Sequence, residues 1–242
     1  MRDPTLRILL LEPDEQLGAT WTAGLREVGH VVTWLRDGEA GLAEALRSPP
    51  DVVVTELALP GRSGLQVCRR LRARSTVPIV VASTPVGEAE VLRALKCGAD
   101  LFVTKPCSLQ VLRSRLCRLV RRASGAPLPE GGGPRPQKPI RVGPLELDPA
   151  GRSAKLAGRA LRLSPAEFRL LCVLAERAGR VLTREQLVGL THGASDAAFD
   201  RSIDAHVCRL RGKLEADPGA PRLLRTVRGA GYLLAMGVGE RR

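Results

Sequence analysis

Between Arg7 and Lys105 five short apolar runs recur: RILLL (7–11), HVVTWL (30–35), DVVVTEL (51–57), PIVVAS (78–83) and LFVTK (101–105). They are rich in Val, Ile and Leu and bounded by turn residues, as buried parallel strands are. Helical patterns fill the gaps, at about 14–28, 38–47, 63–74, 87–97 and 108–122. Five repeats of strand then helix predict an α/β doubly wound, five-stranded parallel sheet with helices on both faces. In such sheets function collects at the carboxyl ends of the strands. Those ends carry Glu12, Pro13, Asp14, Glu56, Ser83 and Lys105.

After Arg122 the chain reads ASGAPLPEGGGPRPQKP (123–139). Pro and Gly crowd this stretch, so it cannot bury a core and is expected to be a flexible linker. It separates an N-terminal domain (1–122) from a C-terminal one (140–242). The second domain begins with the short strand-like pieces IRVG, LELD, AKLAG and RALRLS, which predict a small antiparallel sheet. Ser164-Pro-Ala-Glu167 then forms a capping-box signature with Pro at the first helical position. Thr183-Arg-Glu-Gln186 opens a second helix in the same way. A polar loop, THGASDA (191–197), leads to a third helix near 199–215. LLRTVRGAGYLL (223–234) is two apolar strands around a Gly-rich turn. Three helices followed by a hairpin predict an α+β winged helix-turn-helix.

The third helix reads DRSIDAHVCRLRGKLEA (200–216). Ile203, Val207, Leu210 and Leu214 follow helical spacing and are expected to face the core. The other side then offers Arg201, Ser202, Asp204, His206, Arg209, Arg211 and Lys213. A helix fits the DNA major groove, where Arg donates to guanine or to phosphate. Arg225, Thr226 and Arg228 on the hairpin add a basic wing, and helix plus wing make one footprint for double-stranded DNA.

Charge agrees. The 242 residues carry 38 Lys+Arg against 25 Asp+Glu, a formal net charge of +13, with more of it after residue 123 than before. Such a balance favours polyanionic partners. No run of about 18 apolar residues exists, so no membrane span is expected. The start, MRDPTLRILLLEPDE, has too short an apolar core for a signal peptide, and a soluble cytoplasmic protein is expected. Cys68, Cys97, Cys107, Cys117, Cys172 and Cys208 form no CxxC pair and no zinc spacing, so neither metal nor cofactor is expected. No nucleophile–base constellation or phosphate-cradling loop argues for an enzyme.

LSPAEFRLLCVLAERAGRVLTREQL, RSIDAHVCRLRGKLE and RTVRGAGYLL together resemble the DNA-binding domain of the OmpR/PhoB family of response regulators. The resemblance implies that the third helix enters the major groove through Arg201, Ser202, His206, Arg209 and Arg211. Thr226, Arg228 and Tyr232 are the implied wing-side contacts, and the 191–197 loop is the implied RNA polymerase contact. Cys208 stands where many members carry a basic or polar residue.

RILLLEPDE, PDVVVTELALPGRSG, PIVVAS and GADLFVTKP likewise resemble the family's receiver domain. A working receiver needs a strand-end Asp as phosphoacceptor, an acidic pair for Mg²⁺, a hydroxyl, a Lys and usually a switch aromatic. Lys105, Ser83, Phe102 and Glu12 match. Pro13 does not: it offers no side-chain oxygen to a cation that wants near-octahedral oxygen ligands. Asp14 is adjacent, but neighbours on an extended chain point to opposite sides. Glu56 takes the phosphoacceptor position, one methylene longer than Asp. It is either a relic paired with Lys105 or a built-in mimic with part of a phosphoryl group's charge. Phosphorylation-independent control is expected. The resemblance also implies a homodimer through the fourth helix, fifth strand and fifth helix, on direct-repeat half-sites. Val91, Leu101, Val111 and Arg115 are the expected interface residues, and Val91 and Val111 replace a commonly charged pair. An alternative is a ligand- or redox-sensing receiver, because Cys97, Cys107 and Cys117 fall on or near that face.

Overall fold

A computed structural model describes residues 5–123, 138–192 and 197–236. The chain separates into two compact units, Met1–Ser124 and Gly125–Arg242.

The first unit alternates β1 (Arg7–Leu11), α1 (Glu15–Glu27), β2 (Val31–Leu35), α2 (Gly38–Arg47), β3 (Val52–Thr55), α3 (Gly64–Arg74), β4 (Ile79–Ser83), α4 (Glu88–Cys97), β5 (Leu101–Thr104) and α5 (Leu109–Ala123). All strand pairs are parallel, in the order β2-β1-β3-β4-β5. Every residue of the central strand β3 is buried, as its Val-Val-Val-Thr sequence requires of a strand covered on both faces. Asp14 and Asp37 start α1 and α2 by accepting backbone N–H groups with their carboxylates. β3 ends at Thr55, so Glu56 and Leu57, expected inside the run, lie just beyond its carboxyl end.

The second unit opens with the antiparallel sheet β6 (Ile140–Val142), β7 (Leu145–Asp148), β8 (Ser153–Leu156) and β9 (Arg159–Ala160). Then come α6 (Pro165–Glu176), α7 (Arg184–His192), α8 (Ala197–Leu214) and the hairpin β10 (Leu224–Val227) and β11 (Gly231–Leu234). The capping box at Ser164 and Glu167 forms reciprocally. At α7 the Gln186 backbone N–H donates to Thr183 Oγ1, while Thr183 N donates to Gln186 Oε1. Tyr232 and Leu182 exchange backbone hydrogen bonds, which ties the hairpin to the segment before α7. Gly231, at φ 140°, makes that approach possible: a Cβ there would sit 2.0 Å from the Leu182 carbonyl oxygen.

Candidate functional site

The strand ends of the first unit converge on Lys105. Its Nζ lies 2.5 Å from Glu12 Oε2 and 2.5 Å from Glu56 Oε2, and 5.6 Å from the centroid of the Trp21 ring. All four side chains are buried. Burial works against the ammonium charge, but the hydrogen bonds and charges of Glu12 and Glu56 outweigh it and raise the Lys105 pKa. The other Glu56 oxygen accepts from Leu57 N at 2.6 Å. Glu56 is therefore held by Lys105 and the backbone rather than by Ser83, which is buried at the end of β4. Asp14 is committed elsewhere: its Oδ1 caps α1 at Leu17 N, 2.7 Å away. Trp34 donates to the Glu12 carbonyl. Phe102 is buried in β5.

The family's Mg²⁺ does not fit this arrangement. Both carboxylates already share one cation, Lys105, and Pro13 brings only a backbone carbonyl, which accepts from Arg36 Nε. Among the described residues no group of three or more His, Cys, Asp or Glu could hold a metal ion.

Two expected interface residues need correction. Leu101 is opposite Val80 in the sheet and has 0% exposure, and Val91 is buried on the inner face of α4. Both serve the core, because α4 and β5 must bury one apolar side each. Val111 is 43% exposed on α5, and Arg115 is half-buried. Cys97 and Cys107 are half-buried, and Cys117 is buried with its Sγ 3.8 Å from His30 Nε2. Burial raises the Cys107 thiol pKa despite the opposing charges of Arg115 and Lys105.

In the second unit α8 is gripped from two sides. Glu167 is fully buried and accepts from Ser164 N at 2.8 Å, Arg209 Nε at 2.8 Å and Lys213 Nζ at 2.5 Å. Burial opposes its charge, yet Arg209 and Lys213 bring its pKa down to about 2. Arg209 also contacts His206 Nδ1 at 2.6 Å. His206 is 1% exposed and the Arg209 side chain 8%, so the expectation that both lie on the solvent face is corrected. The reason is the buried carboxylate of α6, which draws the basic side of α8 inward. Burial also reaches Ala205, so the packed side of α8 is wider than its four large apolar residues suggest.

On the other flank Arg211 donates to Leu224 O and Thr226 Oγ1 on β10. Tyr232 is buried rather than presented at the wing surface, and its hydroxyl donates to Asp204 Oδ1 at 2.7 Å. Arg184, from the first turn of α7, pairs with the same Asp204 oxygen at 2.8 Å. The guanidinium groups of Arg184 and Arg211 lie 5.2 and 5.8 Å from the Tyr232 ring centroid. Arg228 and Thr226 are exposed on the hairpin. The side chains of Arg201 and Ser202, and residues 193–196 of the 191–197 loop, lie outside the described residues.

The sequence pointed to neither Glu167 as the anchor of α8 nor Arg184. The one available signal for the first was a Glu at the third position of a helix that is otherwise nearly all apolar.

A family model described as "Response regulator receiver domain" matches residues 8–117, and one described as "Transcriptional regulatory protein, C terminal" matches residues 158–234. The chain is 39% identical to the sensory transduction protein RegX3 of Mycolicibacterium smegmatis, over 94% of this chain and 98% of that protein. It is 38% identical to the response regulator protein PmrA of Pseudomonas aeruginosa, over 94% and 97%. Among solved structures, a RitR mutant superposes with a TM-score of 0.72 at 24% identity, covering 96% of this chain and 99% of that one, a likeness of fold.

Proposed function

The chain belongs to the OmpR/PhoB family of response regulators, DNA-binding transcription regulators, and on that premise we propose that its receiver domain works without phosphorylation. The observation that carries this reading is the position of Lys105, 2.5 Å from both remaining carboxylates. Acyl-phosphate formation needs a carboxylate free to attack phosphorus and a cation to neutralise the phosphoryl oxygens. Here Glu56 is paired with Lys105, and Pro13 offers a cation no side-chain oxygen.

In this reading the receiver is a standing dimerisation module, with Val111 and Arg115 on the α5 side of the interface. The dimer sets two DNA-binding domains on direct-repeat half-sites about 10 bp apart. The 191–197 loop meets RNA polymerase, and the protein acts in the cytoplasm. The described residues contain no helix long and apolar enough to cross a membrane. Cys107 itself is disfavoured as a sensing thiol, because burial raises its pKa and reactive thiols have lowered ones.

The test is incubation of the full chain with acetyl phosphate and Mg²⁺, read by intact mass and DNA titration. No added phosphate and no change in affinity are expected. A gain of one phosphate, lost in Glu56→Ala, overturns the reading.

A further inference from the structure

Among the described residues of α8, two of the three basic side chains, Arg209 and Lys213, turn away from the most exposed positions. Asp204, Cys208 and Gly212 are exposed and Arg211 is half-exposed, whereas Ile203, Ala205, His206, Val207, Leu210 and Leu214 are buried. Arg209 and Lys213 are pinned to Glu167. At about 100° per residue, Arg211, Asp204, Cys208 and Gly212 fall within one arc of about 100°, and Cys208 lies nearest its middle. Arg201, whose side chain lies outside the described residues, falls on the same arc nearer the helix start; among the described residues the neighbours of Cys208 leave it the field. Asp204 is held by Arg184 and Tyr232, Arg211 leans on β10, and Gly212 has no side chain. Cys208 is also the exposed thiol of the chain's six; the others are buried or half-buried.

We propose that Cys208 is a specificity-determining residue of this regulator, facing the base edges at the centre of the major-groove contact. A thiol is a small, mostly apolar group with a weak S–H donor. In the major groove its complement is the thymine C5 methyl, the group that small apolar side chains meet there. The readout at Cys208 is thus apolar and short-range. Arg211 and the exposed Arg225 and Arg228 supply charge at its edge and on the wing.

The experiment uses the full chain and a duplex selected from a randomised pool. Wild type, Cys208→Ala and Cys208→Arg are each profiled by the same selection, and thiol alkylation of wild type is followed by peptide mass with and without bound duplex. Cys208 is expected to alkylate faster than the other five cysteines. Bound duplex should slow it about tenfold or more while leaving Cys97 and Cys107 unchanged. Wild type should prefer thymine at one position. Cys208→Ala should change that preference by about fivefold or more with the flanking positions kept, a size typical of one base pair. Cys208→Arg should shift the same position to guanine, the base Arg reads bidentately.

Identical selection profiles for all three proteins overturn the proposal, whether or not the thiol is protected. So does unchanged alkylation in the presence of duplex. A uniform gain of affinity in Cys208→Arg, steeper in salt and with no change of base preference, places the residue at the phosphates and overturns it too.

Discussion

The Glu56 carboxylate lies 2.5 Å from the Lys105 ammonium, and Glu12 lies on the same ammonium at the same distance. One cation thus compensates two buried anions, so the three side chains are unequal in what their loss costs. Lys105→Met leaves two buried carboxylates without a cation, each keeping only a backbone N–H donor, and should cost about 3–5 kcal/mol at neutral pH. Glu56→Gln leaves Lys105 paired with Glu12 and should cost clearly less. Trp21 and Trp34, the chain's only tryptophans, both sit in the first unit, so fluorescence-detected urea unfolding reads this unit alone. Equal costs for the two variants would contradict the shared-cation arrangement. Because the Lys105 pKa is raised, the stability it contributes is complete below the ordinary lysine range and is lost as pH rises through the folded value.

Glu167 predicts the opposite pH dependence. Its pKa falls from 4.5 to about 2, held there by Arg209 and Lys213 against the cost of burial. A depressed carboxyl contributes stability above its unfolded pKa and loses it as pH falls towards the folded value. The displacement corresponds to about 3 kcal/mol. Glu167→Gln keeps the shape and removes the charge. Its deficit in urea unfolding followed by circular dichroism should be full at pH 7, shrink below about pH 4.5, and nearly vanish by about pH 2. A deficit that does not change with pH would remove the ion pair as its cause.

Much of this architecture is legible in the sequence, and the reasons are local. The valines of β3 and the isoleucine and valines of β4 leave little but a buried strand, and Ser164 with Glu167 writes a helix start in four residues. The departures of Glu56 and Pro13 from the family's receiver pattern are likewise visible, because both positions follow closely on the ends of strands. What the sequence hides is which side of α8 the solvent sees. Helical spacing identifies Ile203, Val207, Leu210 and Leu214 as core, but it does not say that a carboxylate 42 residues away in sequence pulls Arg209 inward. Leu101 and Val91 misled for a related reason: an apolar residue at a family interface position also satisfies the domain's own core, and here the core takes it.

Tyr232 is the chain's single tyrosine, so ultraviolet titration of tyrosinate reads one residue. Burial, followed by the hydrogen bond and charge of Asp204, lifts its pKa to about 12 despite Arg184. The titration midpoint should therefore lie well above 10, and Asp204→Asn should bring it down. Because an elevated folded pKa favours the protonated form, this contact supports the fold below about pH 10 and fades as pH climbs towards 12. A wild-type midpoint at 10 would mean that the α8–hairpin network does not persist in solution.

If the proposed dimer forms through α5, Val111, which is 43% exposed, is its accessible apolar contact, whereas Leu101 and Val91 are buried. Full-length protein should be dimeric by light scattering at micromolar concentration without a phosphoryl donor. Val111→Arg should shift it towards monomer while leaving fluorescence-detected stability within about 0.5 kcal/mol, as expected of a surface change. Leu101→Arg should instead unfold the domain, since it buries an unpaired charge. A wild-type monomer, unaffected by Val111→Arg, would remove the α5-side interface.

On the proposed reading, phosphorylation requires two changes made together. Glu56→Asp alone shortens the carboxylate by one methylene and weakens its reach to Lys105, but the cation site stays incomplete. Asp14 cannot complete it, because its carboxylate caps α1 at Leu17 N and its backbone N donates to Glu12 Oε1. Pro13→Asp supplies the missing oxygen ligands at the right place in the chain, yet alone it leaves Glu56 on Lys105. Only the double variant Pro13→Asp, Glu56→Asp both frees the ammonium from one of its two acids and offers Mg²⁺ a second carboxylate. With acetyl phosphate and Mg²⁺, the double variant should gain one phosphate by intact mass, and each single variant none. The gain should depend on Mg²⁺ and disappear when Asp at position 56 is replaced by Asn. A phosphorylated Glu56→Asp single variant would show that side-chain length is the whole defect and that the Pro13 position is immaterial. A silent double variant would place the block elsewhere, in the geometry of Lys105 and Ser83.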